Sequence, residues 1–581
     1  MKDFLKMTLA VIVGTILLSI AGSILFFGLV SIIASIGSAT AGVPKKCAVV
    51  LDLSETAIAE QTVEASPLAG LSAQLPLTTI GIWDAVSAIN AAAEDPAVKF
   101  LYLKTDGNTT GIATLYEVRK ALERFRESGK AIVAYTEAPS TGDYYLASVA
   151  DKVYMTPHPG ATTLLTGVSS QMFFLKDLLE KLGVNVQLIR HGKYKSAGEM
   201  FVRNEPSKEN REQYQVMVNS IWSSIAEGIS ESRGISVEQI NEAIDGLRLC
   251  TPQDFLDNGF VDELLTRDRL QEKLAALAME DRYKDIKWIS LPDYAAARLL
   301  PSKVHEKIAV IYADGQIVDG KGLQEVAGKR FASIIQSVRA DSTVKAVVLR
   351  VNSPGGAVLA AEQIKNELDL LKKDKPLIAS YGEYAASGGY WISAAADRIF
   401  SDPGTLTGSI GVFSMIPDFS KTAEDIAHVN VVSISSGKHG DMYSLMRPFD
   451  SAEYEYMQTQ IEGIYTRFAS LVADGRGMEI DAVDAIGQGR VWTGSDALGI
   501  NLVDEIGTLE DAVRYAATVA GNPELTAWNV KGYPTPETQI ETILNTLSGR
   551  NGGNEDVLTK LSSDFSKPQI FARLPYDIKV R

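Results

Sequence analysis

Three stretches of the 581-residue chain recur in the same order about 245 residues further on, and this duplication limits the possible folds more than any other feature. Residues 95–104 (DPAVKFLYLK) match 341–350 (DSTVKAVVLR). Residues 142–154 (GDYYLASVADKVY) match 388–400 (GGYWISAAADRIF), and 248–264 (RLCTPQDFLDNGFVDEL) match 490–506 (RVWTGSDALGINLVDEI). The chain therefore reads as an N-terminal segment, residues 1–45, then a domain over 46–303 and a related domain over 304–581. A chain this long exceeds what one hydrophobic core supports, which agrees with two large units.

Each unit alternates short β-branched runs with helical spacing. In the second copy, 307–312 (KIAVIY), 346–351 (AVVLRV) and 376–380 (PLIAS) read as strands. Residues 332–340 and 357–371 place apolar side chains at helical intervals. Such alternation predicts an α/β fold with parallel strands buried on both faces.

Residues 7–36 contain no charge and are long enough to span a bilayer. The run is longer than a signal-peptide core and reads as an uncleaved transmembrane signal anchor; cleavage near Ala39 is the alternative. Lys2 and Lys6 before the run, against Lys45 and Lys46 after it, set the orientation only weakly. Residues 548–556 (SGRNGGNED) read as a mobile polar stretch, after which the last dozen residues regain apolar character.

Composition narrows the chemistry. A net charge of −16, from 56 basic and 72 acidic residues, argues against nucleic acid as a partner. Cys47 and Cys250 allow one disulfide at most. None of the five histidines lies at metal-ligand spacing, so neither a metal nor a cofactor is expected.

The second copy carries two glycine-rich turns between a strand and a helix. In Asn352-Ser353-Pro354-Gly355-Gly356 the glycines let backbone approach a ligand, and helix-start N–H groups could hold an oxyanion; a plain tight turn is the other reading. In Ala386-Ser387-Gly388-Gly389, Ser387 is either an exposed nucleophile or a helix N-cap. A serine nucleophile needs a base. His439 sits in a polar turn and reads as a solvated loop residue. A buried lysine can serve instead once desolvation lowers its pKa. The first copy has Thr141 where the second has Ser387, and Thr105-Asp106-Gly107-Asn108 in place of the Pro-Gly-Gly turn. It also has His191-Gly192-Lys193-Tyr194-Lys195-Ser196-Ala197, in which Lys195 falls opposite Gly440. One copy thus holds a serine without the lysine, and the other a lysine without the serine. Lys195 is either an ordinary surface lysine or half of one composite site.

At these residues the chain resembles the signal peptide peptidase A (protease IV) family in its long, duplicated form. The anchor, the tandem units, NSPGG, ASGGYW, LTGSIG and GKYKSA carry the likeness over nearly the whole length. The resemblance implies tandem ClpP/crotonase-like domains of stacked β-β-α units and a Ser/Lys serine endopeptidase. It implies Ser387 as nucleophile, Lys195 as general base, Ser409 as the residue that orients the lysine, and the N–H groups of Gly356 and Gly388 as the oxyanion hole. It further implies a membrane-bound homotetramer that degrades cleaved signal peptides and other small or unfolded polypeptides at the outer side of the bacterial inner membrane. In one departure, GKYKSA runs into Gly198-Glu199-Met200-Phe201 where relatives often have Val-Glu-Pro-Phe, which leaves the local turn open. Two rivals remain: a crotonase-like acyl-CoA enzyme using carboxylates, and a membrane scaffold without activity.

Overall fold

The computed structural model describes residues 7–8, 12–20, 22–23, 42–62, 78–160, 165–300, 302–323, 325–536 and 570–573. Most of the apolar N-terminal run and the polar stretch 548–556 lie outside these residues. Residues 12–20 of that run are helical. Among the described residues, no helix is long and apolar enough to cross a membrane.

Each copy builds a sheet on six parallel strands in the same order; the second copy's sheet also holds Leu406–Gly408, parallel to Leu377–Ala386, and Val491–Thr493, antiparallel to Leu406–Gly408. In the first copy the order across the sheet is Glu263–Leu264, Lys152–Met155, Ala131–Thr136, Val98–Lys104, Cys47–Asp52 and Trp288–Ser290. In the second it is Glu505–Ile506, Arg398–Ser401, Leu377–Ala386, Val344–Ser353, Lys307–Asp314 and Asn529–Tyr533. The predicted α/β class with parallel strands therefore holds for both copies.

The continuous apolar runs form strands because both of their faces are covered. Along Lys307–Asp314, Ile308, Val310 and Tyr312 point into a core shared with first-copy residues such as Val49 and Leu103. Ala309, Ile311 and Ala313 point into a second core beneath the helices Gly328–Ala340 and Val358–Lys372. The period-two side-chain alternation thus divides one strand between two cores, one of which joins the copies.

All three second-copy strands outrun the prediction, one of them by six residues. The strand expected to stop at Ser380 continues to Ala386, directly before Ser387. Its second half, Tyr381-Gly382-Glu383-Tyr384, looks too polar for a central strand. Glu383 is accommodated because its carboxylate accepts the N–H groups of Ala113 and Thr114, at 3.2 and 2.9 Å, from the start of the first-copy helix Ile112–Glu127. A Cβ at Gly111 would sit 2.2 Å from the Glu383 carboxyl carbon, so a side chain there would push the carboxylate off this helix start.

Arg350, fully buried on Val344–Ser353, makes a second charged tie. Its Nε donates to Glu60 at 2.7 Å and its Nη2 lies 2.6 Å from Glu117, both carboxylates belonging to the first copy. Its Nη1 donates to Ser380 Oγ and to the Tyr381 carbonyl.

A third sheet is assembled from both copies, in the order Val326–Ala327, Ile317–Val318, Gly355–Ala357, Ile570–Arg573, Val412–Asp418 and Asn185–His191. Its last pair is antiparallel and joins the second copy to the first. Within the apolar C-terminal stretch, Ile570–Arg573 fills the place between Gly355–Ala357 and Val412–Asp418. Cys47 is buried, Cys250 is exposed, and both are free thiols.

Candidate active site

Ser387 follows the strand Leu377–Ala386 and begins the helix Gly388–Ser393. It occupies the N-cap position, yet its side chain makes no capping bond. Its backbone has φ 55° and ψ −113°, a conformation that costs of order 1–3 kcal/mol in a non-glycine residue. The turn is held by Ser387 N–H donating to the Gly408 carbonyl and by Trp391 N–H donating to the Ser387 carbonyl, both at 2.8 Å. The first copy shows the ordinary alternative. There Ser140 caps the matching helix in a capping box with Asp143, and Thr141 lies within the helix. The strain in the second copy turns the Ser387 hydroxyl away from its own helix.

That hydroxyl meets Lys195. Lys195 Nζ lies 2.8 Å from Ser387 Oγ, 3.0 Å from Ser409 Oγ and 3.2 Å from the Ser409 carbonyl oxygen. All three residues are buried, and burial alone pushes the Lys195 amine well below its usual pKa. The structure therefore brings together three residues that lie 192 and 214 positions apart along the chain. The seam that does so is the antiparallel pair Asn185–His191 with Val412–Asp418: one strand leads into the Lys195 turn, and the other follows Ser409.

Sequence reasoning missed the slot that holds the lysine. A Cβ at Gly489 would lie 2.5 Å from Lys195 Cβ, and one at Gly411 would lie 3.2 Å from its Cδ and 2.7 Å from Gly489 Cα. The stem thus passes between two glycines. One signal was available: the residue matching Gly489 in the first copy is Leu247, so glycine stands only where the lysine passes. The backbone of the lysine turn is clamped from both copies. Tyr194 N–H donates to the Gln488 carbonyl, and Gln213 donates to the Tyr194 carbonyl and to Ser196 Oγ. Arg190 donates to the Lys195 carbonyl and to Glu199. The departure at 198–201 is a short helix, Glu199–Val202, whose buried Glu199 also accepts Ser207 N–H and Asn210 Nδ2.

Gly388 adjoins Ser387 in the chain, and Gly356 lies on the strand Gly355–Ala357, against which the helix after Ser387 packs. Gly388 is the first residue of its helix, where an N–H has no intrahelical acceptor. The helix packs against Val344–Ser353 and Gly355–Ala357. That approach needs Gly389, whose Cβ would fall 2.6 Å from the Ser353 carbonyl oxygen. Gly356 is required by its own strand pairing, since its Cβ would fall 1.9 Å from the Ile317 carbonyl oxygen.

The alternative base, His439, is engaged elsewhere. Its Nδ1 lies 2.9 Å from Glu453 Oε1, and Arg447 donates to both Glu453 oxygens. His439, Asp450 and Glu453 are the only group among the described residues with metal-ligand atoms close together. The Arg447 guanidinium already supplies the cation that Glu453 faces.

The family model of peptidase family S49 matches residues 124–280 and 369–522, one stretch in each copy. The chain is 35% identical over 501 residues to Protease 4 of Haemophilus influenzae, covering 83% of this chain and 80% of that protein. It is 36% identical over 480 residues to Protease 4 of Salmonella typhi, covering 81% and 76%. A chloroplastic serine protease SPPA of Arabidopsis thaliana is 31% identical over 489 residues, covering 82% of this chain and 71% of that protein. With a buried serine and lysine in contact and a match in each half of the tandem repeat, the chain belongs to peptidase family S49 and is a serine peptidase.

Proposed function

We propose that Ser387 is the nucleophile and Lys195 the general base of an endopeptidase that forms and hydrolyses an acyl-enzyme. One observation carries the reading: among the described residues, Lys195 Nζ has three oxygen neighbours and no charged partner. A neutral amine has two N–H donors and one lone pair. Ser409 Oγ and the Ser409 carbonyl accept the two donors, which leaves the lone pair facing the Ser387 hydroxyl. Ser409 thereby orients the base without accepting a proton.

Ser387 Oγ attacks the scissile carbonyl as its proton passes to Lys195. The oxyanion is held by the N–H groups of Gly356 and Gly388. Lys195 returns the proton to the leaving amine, and the C–N bond breaks. A water deprotonated by Lys195 then attacks the ester; the ester C–O bond breaks, and Lys195 returns that proton to Ser387 Oγ, releasing the acid.

The substrates in this reading are cleaved signal peptides and other small or unfolded polypeptides. The apolar run 7–36 anchors the chain in the bacterial inner membrane, with the catalytic domains, 46–303 and 304–581, on the outer side in a homotetramer. Peptidase membership favours this over acyl-CoA chemistry and over an inactive scaffold. Ser387→Ala and Lys195→Ala should each abolish peptide hydrolysis while circular dichroism stays unchanged. A fluorophosphonate should label Ser387 in the wild-type chain. Near-normal turnover in either variant, or a label on a different serine, would remove the assignment.

A further inference from the structure

The second-copy turn that packs on Lys195 contains a strained residue with no part in the dyad. Gln488 has φ 54°, in the left-handed region that a glutamine adopts only when its surroundings impose it. Its carbonyl accepts Tyr194 N–H at 2.9 Å, beside the lysine. On the other side of the same peptide group, Gly489 N–H donates to the Ile410 carbonyl at 2.7 Å, beside Ser409. One peptide group therefore bridges the segment that carries the lysine and the segment that carries Ser409. The fit is close: a Cβ at Gly192 would lie 2.4 Å from the Gln488 carbonyl oxygen.

Two helices impose the strain. Tyr465 stands on the helix Ser451–Arg476 and Asp484 on the helix Ile480–Ile486. Gln488 N–H donates to Tyr465 Oη at 3.3 Å, and Gln488 Nε2 donates to Asp484 Oδ1. Tyr465 Oη donates in turn to the same Asp484 oxygen. Burial, and then Asp484, push the phenol above its ordinary pKa, so the hydroxyl keeps the proton with which it donates. The Tyr465 ring also stacks on His191 at 3.6 Å. Glu462, one turn earlier on the same helix, lies 2.5 Å from His191 Nδ1. His191 ends the strand that leads into the Lys195 turn. Tyr465 thus holds that turn from two sides, its ring against His191 and its hydroxyl on the peptide group that Tyr194 bonds.

The first copy keeps the scaffold without the clamp. At the same positions of the matching helices, Trp222 stands for Tyr465 and Asn241 for Asp484. Trp222 Nε1 donates to Asn241 Oδ1 at 2.8 Å. An indole N–H can only donate, whereas a phenol hydroxyl also accepts. Gly246 takes the place of Gln488, and its N–H goes to the Glu242 carbonyl of its own helix at 3.1 Å. The accepting role of this side chain occurs only in the copy that closes on the lysine.

We propose that Tyr465 is a positioning residue for the general base: with its ring on His191 and its hydroxyl shared between Asp484 and Gln488, it fixes the peptide group that sets the Lys195 amine against Ser387. It acts through Gln488 and not on the reacting atoms. The inference rests on the reading of Lys195 as the base.

The test is Tyr465→Phe in the full chain, which keeps the ring and removes the hydroxyl. Rates on an internally quenched peptide are taken per Ser387 labelled at completion by a fluorophosphonate, so that any unfolded fraction drops out. The variant should show a kcat lower by roughly ten-fold, the scale of one buried hydrogen bond, with KM within about two-fold of wild type. The rate of labelling should fall in parallel. Gln488→Gly adopts the left-handed conformation without strain, so adding Tyr465→Phe to it should cost less than about three-fold. A Tyr465→Phe kcat within about two-fold of wild type, a raised KM at unchanged kcat, or the full loss on both backgrounds would overturn the proposal. Lys195→Ala separates the two readings. Near-normal turnover in Lys195→Ala removes the base itself, and the positioning role with it. An inactive Lys195→Ala beside a normal Tyr465→Phe removes the positioning role alone.

Discussion

Gly489→Ala tests whether Lys195 is held in place or merely present. The added Cβ would lie 2.5 Å from Lys195 Cβ and 2.6 Å from its backbone nitrogen. Carbon–carbon contact needs roughly 3.5–4.0 Å, so the lysine backbone must retreat by about 1 Å. Gly489 also has φ 79°, where a side chain costs roughly 1–2 kcal/mol. A misplacement of about 1 Å at a reacting group costs on the order of 10²-fold in rate. That corresponds to about 2.7 kcal/mol of barrier. The expected result is a kcat/KM lower by about that factor with KM little changed, since the lysine is not a substrate-binding group. Initial rates on an internally quenched peptide measure it. Fluorophosphonate labelling of Ser387 should slow in parallel. Gly499→Ala, with nothing within 4 Å of the new Cβ, serves as control and should leave turnover intact. If Gly489→Ala keeps kcat/KM within a factor of about three of wild type, the glycine slot does not position the base.

Lys195→Met should change how stability depends on pH. Burial holds the folded-state pKa of Lys195 well below its ordinary 10.5, so between those two values the unfolded chain binds the extra proton. Stability therefore rises with pH across that window, and Lys195→Met lacks the rise. Urea midpoints taken upward from neutral pH should show wild type gaining about 1.4 kcal/mol per pH unit on the variant; parallel curves would mean that the buried lysine is charged. Deleting residues 570–581 removes the strand Ile570–Arg573 from between Gly355–Ala357 and Val412–Asp418. A peptide bound as a strand in that place would compete with it, so KM for a long extended peptide should fall several-fold while hydrolysis of a small ester stays the same. Identical peptide kinetics would place substrate elsewhere.

The duplication and the separation of serine from lysine were legible because they are patterns of identity between two stretches of one chain. Strand positions were legible wherever burial on both faces leaves a continuous apolar run, as in Lys307–Asp314. The extension of Leu377–Ala386 was hidden because Glu383 is paid for by a helix start some 270 residues away. Arg350 was hidden for a related reason. Its first-copy counterpart, Lys104, is a half-exposed partner of Asp52, and nothing local separates it from an arginine that reaches into the other copy. The glycines around Lys195 read as loop punctuation until the stem is seen between them. The apolar character of the C-terminal stretch suggested docking, but its place in a sheet depends on strands more than 150 residues earlier.

The Arg350 tie also bears on how such a chain can be inherited. Glu60 and Glu117 lie on one side of the duplication and their guanidinium on the other. Separating the halves near residue 304 would leave two carboxylates and one arginine without counterions, in places where an unpaired ion costs on the order of 3–5 kcal/mol. Neither half can then be exchanged for its sibling, because each has specialised around a charge it does not itself carry. What began as two interchangeable modules has become a single unit of descent, in which a drifting residue in one half must be answered in the other.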